Sequence, residues 1–99
     1  MIELHLRGKV LPGRRGELVA FLREAIAFYE QPGGIRVRVM WDVTDSDRFI
    51  EVMEYADQET HDRDQVRVAN DADMQGYLRR WRALLAAPPE VETYRIDPM

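Results

Sequence analysis

The stretch from Arg48 to His61 constrains the fold of this chain most. Arg48 to Ala56 carries Phe49, Ile50, Val52, Met53 and Tyr55, the aromatic and β-branched content of a strand. Asp57 then offers a side-chain oxygen to the unpaired amides of a following helix. Glu59 sets a negative charge near the positive end of that helix. A strand therefore runs into a helix with almost no loop, and the other elements are placed relative to this joint.

Residues 2–11 alternate. Ile2, Leu4 and Leu6 point one way and Glu3, His5, Arg7 and Lys9 the other, as in a half-buried strand. Pro12-Gly13 breaks it. From Arg14 the period changes, and Leu18, Phe21, Leu22, Ala25, Ile26 and Tyr29 form the stripe of an amphipathic helix that Pro32-Gly33-Gly34 ends. Ile35 to Trp41 alternates again as a second strand. The turn-rich Asp42 to Asp47 joins it to the third strand, Arg48 to Ala56, as a hairpin. Gln58 to Ala87 reads as mainly helical and is divided near Asn70-Asp71, with Asp71 capping the second piece. There Met74, Tyr77, Leu78, Trp81, Leu84 and Leu85 make an apolar stripe, and Gly76 weakens the helix by ~1 kcal/mol relative to Ala. Pro88-Pro89 stops it, and Val91 to Ile96 is a fourth strand.

The order β-α-β-β-α-β within 99 residues predicts one domain of the α+β class. Right-handed crossovers put both helices on one face of a four-stranded antiparallel sheet, in the ferredoxin-like spatial order 4-1-3-2. The apolar series Ile2, Leu4, Leu6 with Ile35, Val37, Val39 and Trp41 is expected to face the helices, together with Ile50, Val52 and Ala56. Phe49, Glu51, Met53 and Tyr55 then fall on the open face. With Met40 they make it too apolar to stay wet, and a second copy of the chain is the expected cover.

Composition excludes several function classes. A net charge of −4 argues against a nucleic-acid or anionic-membrane binder. There is no cysteine, so disulfides, thiolate catalysis and thiolate-bound metals are excluded. The first residues hold no long apolar run, so neither a leader nor a membrane span is expected, and the default location is cytoplasmic.

The joint Phe49 to Asp57, the acidic helix start after it and the element order resemble the dimeric α/β-barrel superfamily, within it the antibiotic-biosynthesis-monooxygenase-like and NIPSNAP-like small domains. Members of the monooxygenase-like group typically show an acidic or aromatic strand end, an Asp, then a His about two helical turns on. Here Asp64 stands at that spacing and the histidine comes earlier, at His61. The resemblance implies a homodimer enclosing a barrel, and cofactor-free oxygenation or a related proton transfer if the protein is an enzyme.

His61 is the first candidate base, with an ordinary pKa near ~6.5 suited to a phenolic or enolic proton. Exposure among Asp57, Glu59, Asp62 and Asp64 is the alternative. His5 would point into the barrel beside Arg7 and orient a ligand, or be held by a carboxylate such as Glu51. Tyr55 completes the catalytic candidates. Arg38, with Arg36 two residues before it, suits an anionic ligand or guards a sheet edge. Glu51 and Trp81 are the remaining ligand-binding candidates, Trp81 being otherwise a core residue. Glu51 and Glu54 lie on opposite faces by strand parity and do not form a carboxylate pair. His61-Asp62-Arg63-Asp64 is not expected to hold a metal. The function expected is a homodimer that binds a small aromatic or anionic molecule between sheet and helices. The alternative is a non-catalytic interaction module.

Overall fold

The computed structural model describes all 99 residues. The elements are β1 (Ile2–Lys9), α1 (Arg15–Glu30), β2 (Ile35–Trp41), β3 (Arg48–Tyr55), α2 (Gln58–Asn70), α3 (Ala72–Arg82) and β4 (Glu90–Arg95). The sheet order is β2-β3-β1-β4 with every pairing antiparallel, the ferredoxin-like arrangement expected. The helical stretch after the joint divides at Asp71, as its capping chemistry demands. Asp57 Oδ1 accepts from the Thr60 amide at 2.8 Å, and Asp71 Oδ1 from the Met74 amide at 2.9 Å. The last helix ends at Arg82, short of Ala87, because Leu84 and Leu85 leave it to dock against the end of β1. There the Leu11 amide donates to Leu84 O at 2.9 Å and the Ala86 amide to Lys9 O at 2.8 Å.

The stripe of α1 buries Leu18, Phe21, Leu22, Ala25 and Tyr29. Each large side chain among them contributes roughly 1.5–3 kcal/mol of transfer free energy. α3 adds Met74 and Trp81 to the same core. α2 is different, since its buried residues are Thr60 and Asp64. Polar contacts hold it instead. Arg67 donates to Phe28 O at 3.2 Å and to Tyr29 O at 2.8 Å, satisfying carbonyls in the last turn of α1. Gly33 and Gly34, with φ of +84° and +74°, take the left-handed conformations that turn the chain from α1 into β2.

The register of β3 corrects one expectation. Residues directly opposite in an antiparallel pair share a face. Tyr55 lies opposite both Ile2 and Ile35, Met53 opposite Leu4 and Val37, Glu51 opposite Leu6 and Val39, and Phe49 opposite Gly8 and Trp41. Phe49, Glu51, Met53 and Tyr55 therefore face the helices, not the open side. Arg48, Ile50, Val52 and Glu54 face outward, and Ala56 is exposed beyond the strand end. The hairpin decides this. Asp42 Oδ1 accepts from the Thr44 and Asp45 amides, and the Asp42 amide donates to Arg48 O. That turn sets Trp41 against Phe49, and the rest of the strand follows.

The open face is consequently polar. Across it His5 Nε2 meets Glu3 Oε1 at 2.9 Å, Arg38 pairs with Glu54, and Arg7 pairs with Glu92. Val52 is fully buried there although no helix covers it, because its neighbours on either side are His5 and Arg38.

Candidate functional site

The six residues singled out from sequence divide between the two faces of the sheet. Glu51, Tyr55 and Trp81 lie on the helix side, with His61 at the edge of Tyr55. His5 and Arg38 lie on the open side. The three catalytic candidates thus do not form one constellation.

On the open side, the His5 ring lies 5.1 Å from that of Tyr94, whose hydroxyl donates to Glu92. The carboxylate holding His5 is Glu3, since Glu51 is on the other face. The hydrogen bond from His5, aided by Arg38, holds the Glu3 carboxyl below its ordinary pKa. Arg38 is engaged by Glu54 and lies 3.7 Å from Glu3. It stands on an edge strand, where charge discourages stray pairing.

Tyr55 is fully buried, and its hydroxyl donates to Asp64 Oδ2 at 2.6 Å. Asp64, itself buried, lies 3.2 Å from Arg67 Nη2. Burial first, and the Asp64 hydrogen bond second, raise the pKa of Tyr55 far above that of a free phenol. A hydroxyl so firmly protonated is a structural donor joining β3 to α2. His61 packs edge-on against this tyrosine with centroids 5.1 Å apart, and its Nδ1 meets Asp62 at 3.0 Å. Sequence reasoning did not assign Asp64 and Arg67 a role. Their spacing with Thr60 along one face of α2 was the available signal.

Glu51 is the chemically unusual group. It sits in the middle of β3 between Phe49 and Met53, on the face that packs against the helices, and is only 2% exposed. No residue pairs with it, and its Oε1 has no hydrogen-bond partner. Burial alone pushes its pKa up to about 7. Tyr29 is raised in turn, first by the burial of its own hydroxyl and then by the charge of Glu51. Trp81, packed in the same core, also buries an indole Nε1 without a partner. The rung that carries Glu51 is less tightly roofed than the rung at the strand end. Ile2, Tyr55 and Ile35 are all buried, whereas Leu6 and Val39 beside Glu51 are half-buried.

The principal clefts open elsewhere. One of about 630 Å³ lies at the sheet end among Arg7, Lys9, Trp41, Arg48, Phe49 and Pro88, and one of about 590 Å³ lies on α3 among Phe28, Asp73, Gly76, Tyr77 and Arg80. Another of about 230 Å³ lies beside Gly33, Thr60, Arg63 and Asp64. None of them is lined by Glu51, Trp81, His5 or His61.

No family model matches the sequence, and no curated protein matches it. Solved structures do match in fold. A Bordetella bronchiseptica protein provisionally named an antibiotic biosynthesis monooxygenase is 21% identical, with 97% of this chain and 96% of that one covered, at a TM-score of 0.80. A point variant of SnoaB, a cofactor-independent oxygenase from Streptomyces nogalater, is 13% identical over 99% of this chain and 94% of that one, at a TM-score of 0.81. A conserved protein from Methanosarcina mazei Go1 is 15% identical over 97% and 92%, also at 0.81. The chain therefore has the ferredoxin-like α+β fold shared by the antibiotic-biosynthesis-monooxygenase-like proteins.

Proposed function

We propose that this protein is a homodimer that binds a small, flat organic molecule between its sheet and its helices and acts on it as a cofactor-free, monooxygenase-like enzyme. One observation carries the reading: Glu51 buries a lone carboxyl among apolar residues with no internal partner. An unsatisfied group of this kind costs stability, roughly 1–3 kcal/mol or more, and a ligand that bonds to it offsets that cost. A pKa near 7 also suits a general base at neutral pH. The likeness to SnoaB supports the reaction class through fold alone.

The dimer rests on the open face. Met40, Ile50 and Val52 lie there, and several of the polar groups around them pair with one another: Glu3 with His5, Arg38 with Glu54, Arg7 with Glu92. Arg36, Arg48 and Glu90 on the same face have no partner within the chain, so the second copy would have to pair them. No helix is long and apolar enough to cross a membrane.

A non-catalytic interaction module is the second reading, favoured by clefts that open away from Glu51. Oxygen uptake separates the two. Purified protein with a panel of polycyclic phenols and no added cofactor should consume dioxygen, and Glu51→Gln should abolish the uptake. Equal uptake by both proteins, or none by either, refutes the enzymatic reading. Light scattering on a sizing column should give the mass of a dimer, and a monomer refutes the assembly.

A further inference from the structure

Two unpartnered buried atoms of this chain meet in one place. Asp64 Oδ1 and Arg67 Nε each lack a hydrogen-bond partner, and both side chains line the cleft of about 230 Å³ beside Gly33. They stand one turn apart on α2, with Arg67 Nη2 3.2 Å from Asp64 Oδ1. Their other polar atoms are engaged. Asp64 Oδ2 accepts from the Tyr55 hydroxyl at 2.6 Å, and the two Nη atoms of Arg67 donate to Phe28 O and Tyr29 O. One acceptor and one donor are therefore left over side by side, fixed from β3 on one hand and from α1 on the other. Asp64 is only 3% exposed, and a carboxylate oxygen unpaired at that depth favours any ligand that donates to it. The remaining unpartnered atoms, on His5, Glu51 and Trp81, line none of the three clefts.

The rest of the cleft wall adds a cation. Arg63 lines it, is exposed, and forms no ion pair within the chain. Asp64 and Arg67 cancel, so the wall keeps one positive charge. Pro32 and Ile35 offer carbon only, and at Gly33, with φ +84°, a Cβ would meet nothing within 4 Å, which keeps the space open. We propose that this cleft, separate from the site around Glu51, binds a small carboxylate that carries a hydroxyl on the neighbouring carbon. The carboxylate accepts from Arg67 Nε and from Arg63, and the hydroxyl donates to Asp64 Oδ1. The volume is that of about seven waters at about 30 Å³ each, which suits a three-carbon hydroxy acid. Other classes fit less well. A plain carboxylate leaves Asp64 Oδ1 unpaired, an amine alone confronts two guanidinium groups, and an α-amino acid, neutral overall, leaves the charge of Arg63 unbalanced.

The test is a nitrogen-15 NMR titration of the full chain that follows the Arg67 Nε–H signal with lactate, propionate and alanine as probes. Lactate should move that signal saturably. Propionate, which lacks the hydroxyl, should bind about tenfold more weakly, as should lactate to Arg63→Gln, a change at an exposed position. Asp64→Asn should erase the preference for lactate over propionate, with circular dichroism establishing that the variant is folded; the lactate–propionate comparison in wild type tests the same contact without a substitution. Glu51→Gln should bind lactate as wild type does, so the result stands apart from the interior base. An Arg67 signal that lactate does not move overturns the site and leaves its two free atoms to ordered water. Equal affinity for lactate and propionate overturns the hydroxyl contact to Asp64. Tighter binding of alanine than of lactate, or lactate binding unchanged in Arg63→Gln, overturns the charge assignment.

Discussion

Replacing Glu51 by Gln removes an ionisable group from the core while keeping its size and one hydrogen-bonding oxygen. In the folded chain, burial pushes this carboxyl from its ordinary 4.5 up to about 7. The folded state therefore holds a proton that the unfolded chain releases. The stability this contributes is fully present below about pH 4.5 and is lost as pH rises through about 7. The gap of about 2.5 pH units, at about 1.4 kcal/mol each, comes to about 3 kcal/mol. At 2% exposure no solvent screening reduces it. Urea unfolding of wild type and Glu51→Gln at one protein concentration, between about pH 4 and 8, measures the difference directly. The stability of the variant minus that of wild type should climb by about 3 kcal/mol from pH 4.5 to 7 and then level off. Other carboxylates cancel in this difference, including Glu3, Asp42, Asp45 and Glu92, whose lowered pKa values make both proteins less stable in acid. In melting temperature the gain above neutrality is on the order of 10 °C for a domain of this size. A flat difference curve, or one that falls with pH, would show that Glu51 is solvated or paired and would remove the basis of the proposed site.

Three further perturbations test the surrounding structure. Tyr55→Phe deletes the donor to Asp64 and leaves that carboxylate to Arg67 alone, which should cost about 1–3 kcal/mol in urea unfolding; a loss below about 0.5 kcal/mol would mean the hydroxyl bond is not formed in solution. Ile50→Asp, on the open face, should convert a dimer into a folded monomer on a sizing column with its circular dichroism intact, and an unchanged dimer would place the interface elsewhere. Asp57→Ala removes the cap of α2 and should cost about 1 kcal/mol; no change in the unfolding midpoint would show that Thr60 and the Tyr55–Asp64 contact hold the joint unaided.

How far the sequence reveals this molecule depends on how one-sided each element is. β1, α1 and α3 each carry one apolar face, so period alone orients them. Asp57 and Asp71 mark the helix starts because capping is a local interaction, complete within three residues. β3 is apolar on both faces, and there parity does not choose. The charges did contain a hint: Arg48 and Glu54 share one parity, against Glu51 alone on the other. What settles the matter is the register with β2, set by the Asp42 turn that places Trp41 against Phe49. The consequence for function is large. With Tyr55 turned inward, its hydroxyl is spent on Asp64 and a structural role follows. With Glu51 turned inward, a carboxyl that would have been an ordinary surface acid becomes the one group in the core that lacks an internal partner for its charge. The same single-residue choice of face that removes most of the grease from the open side thus creates the buried acid on which the proposed chemistry stands.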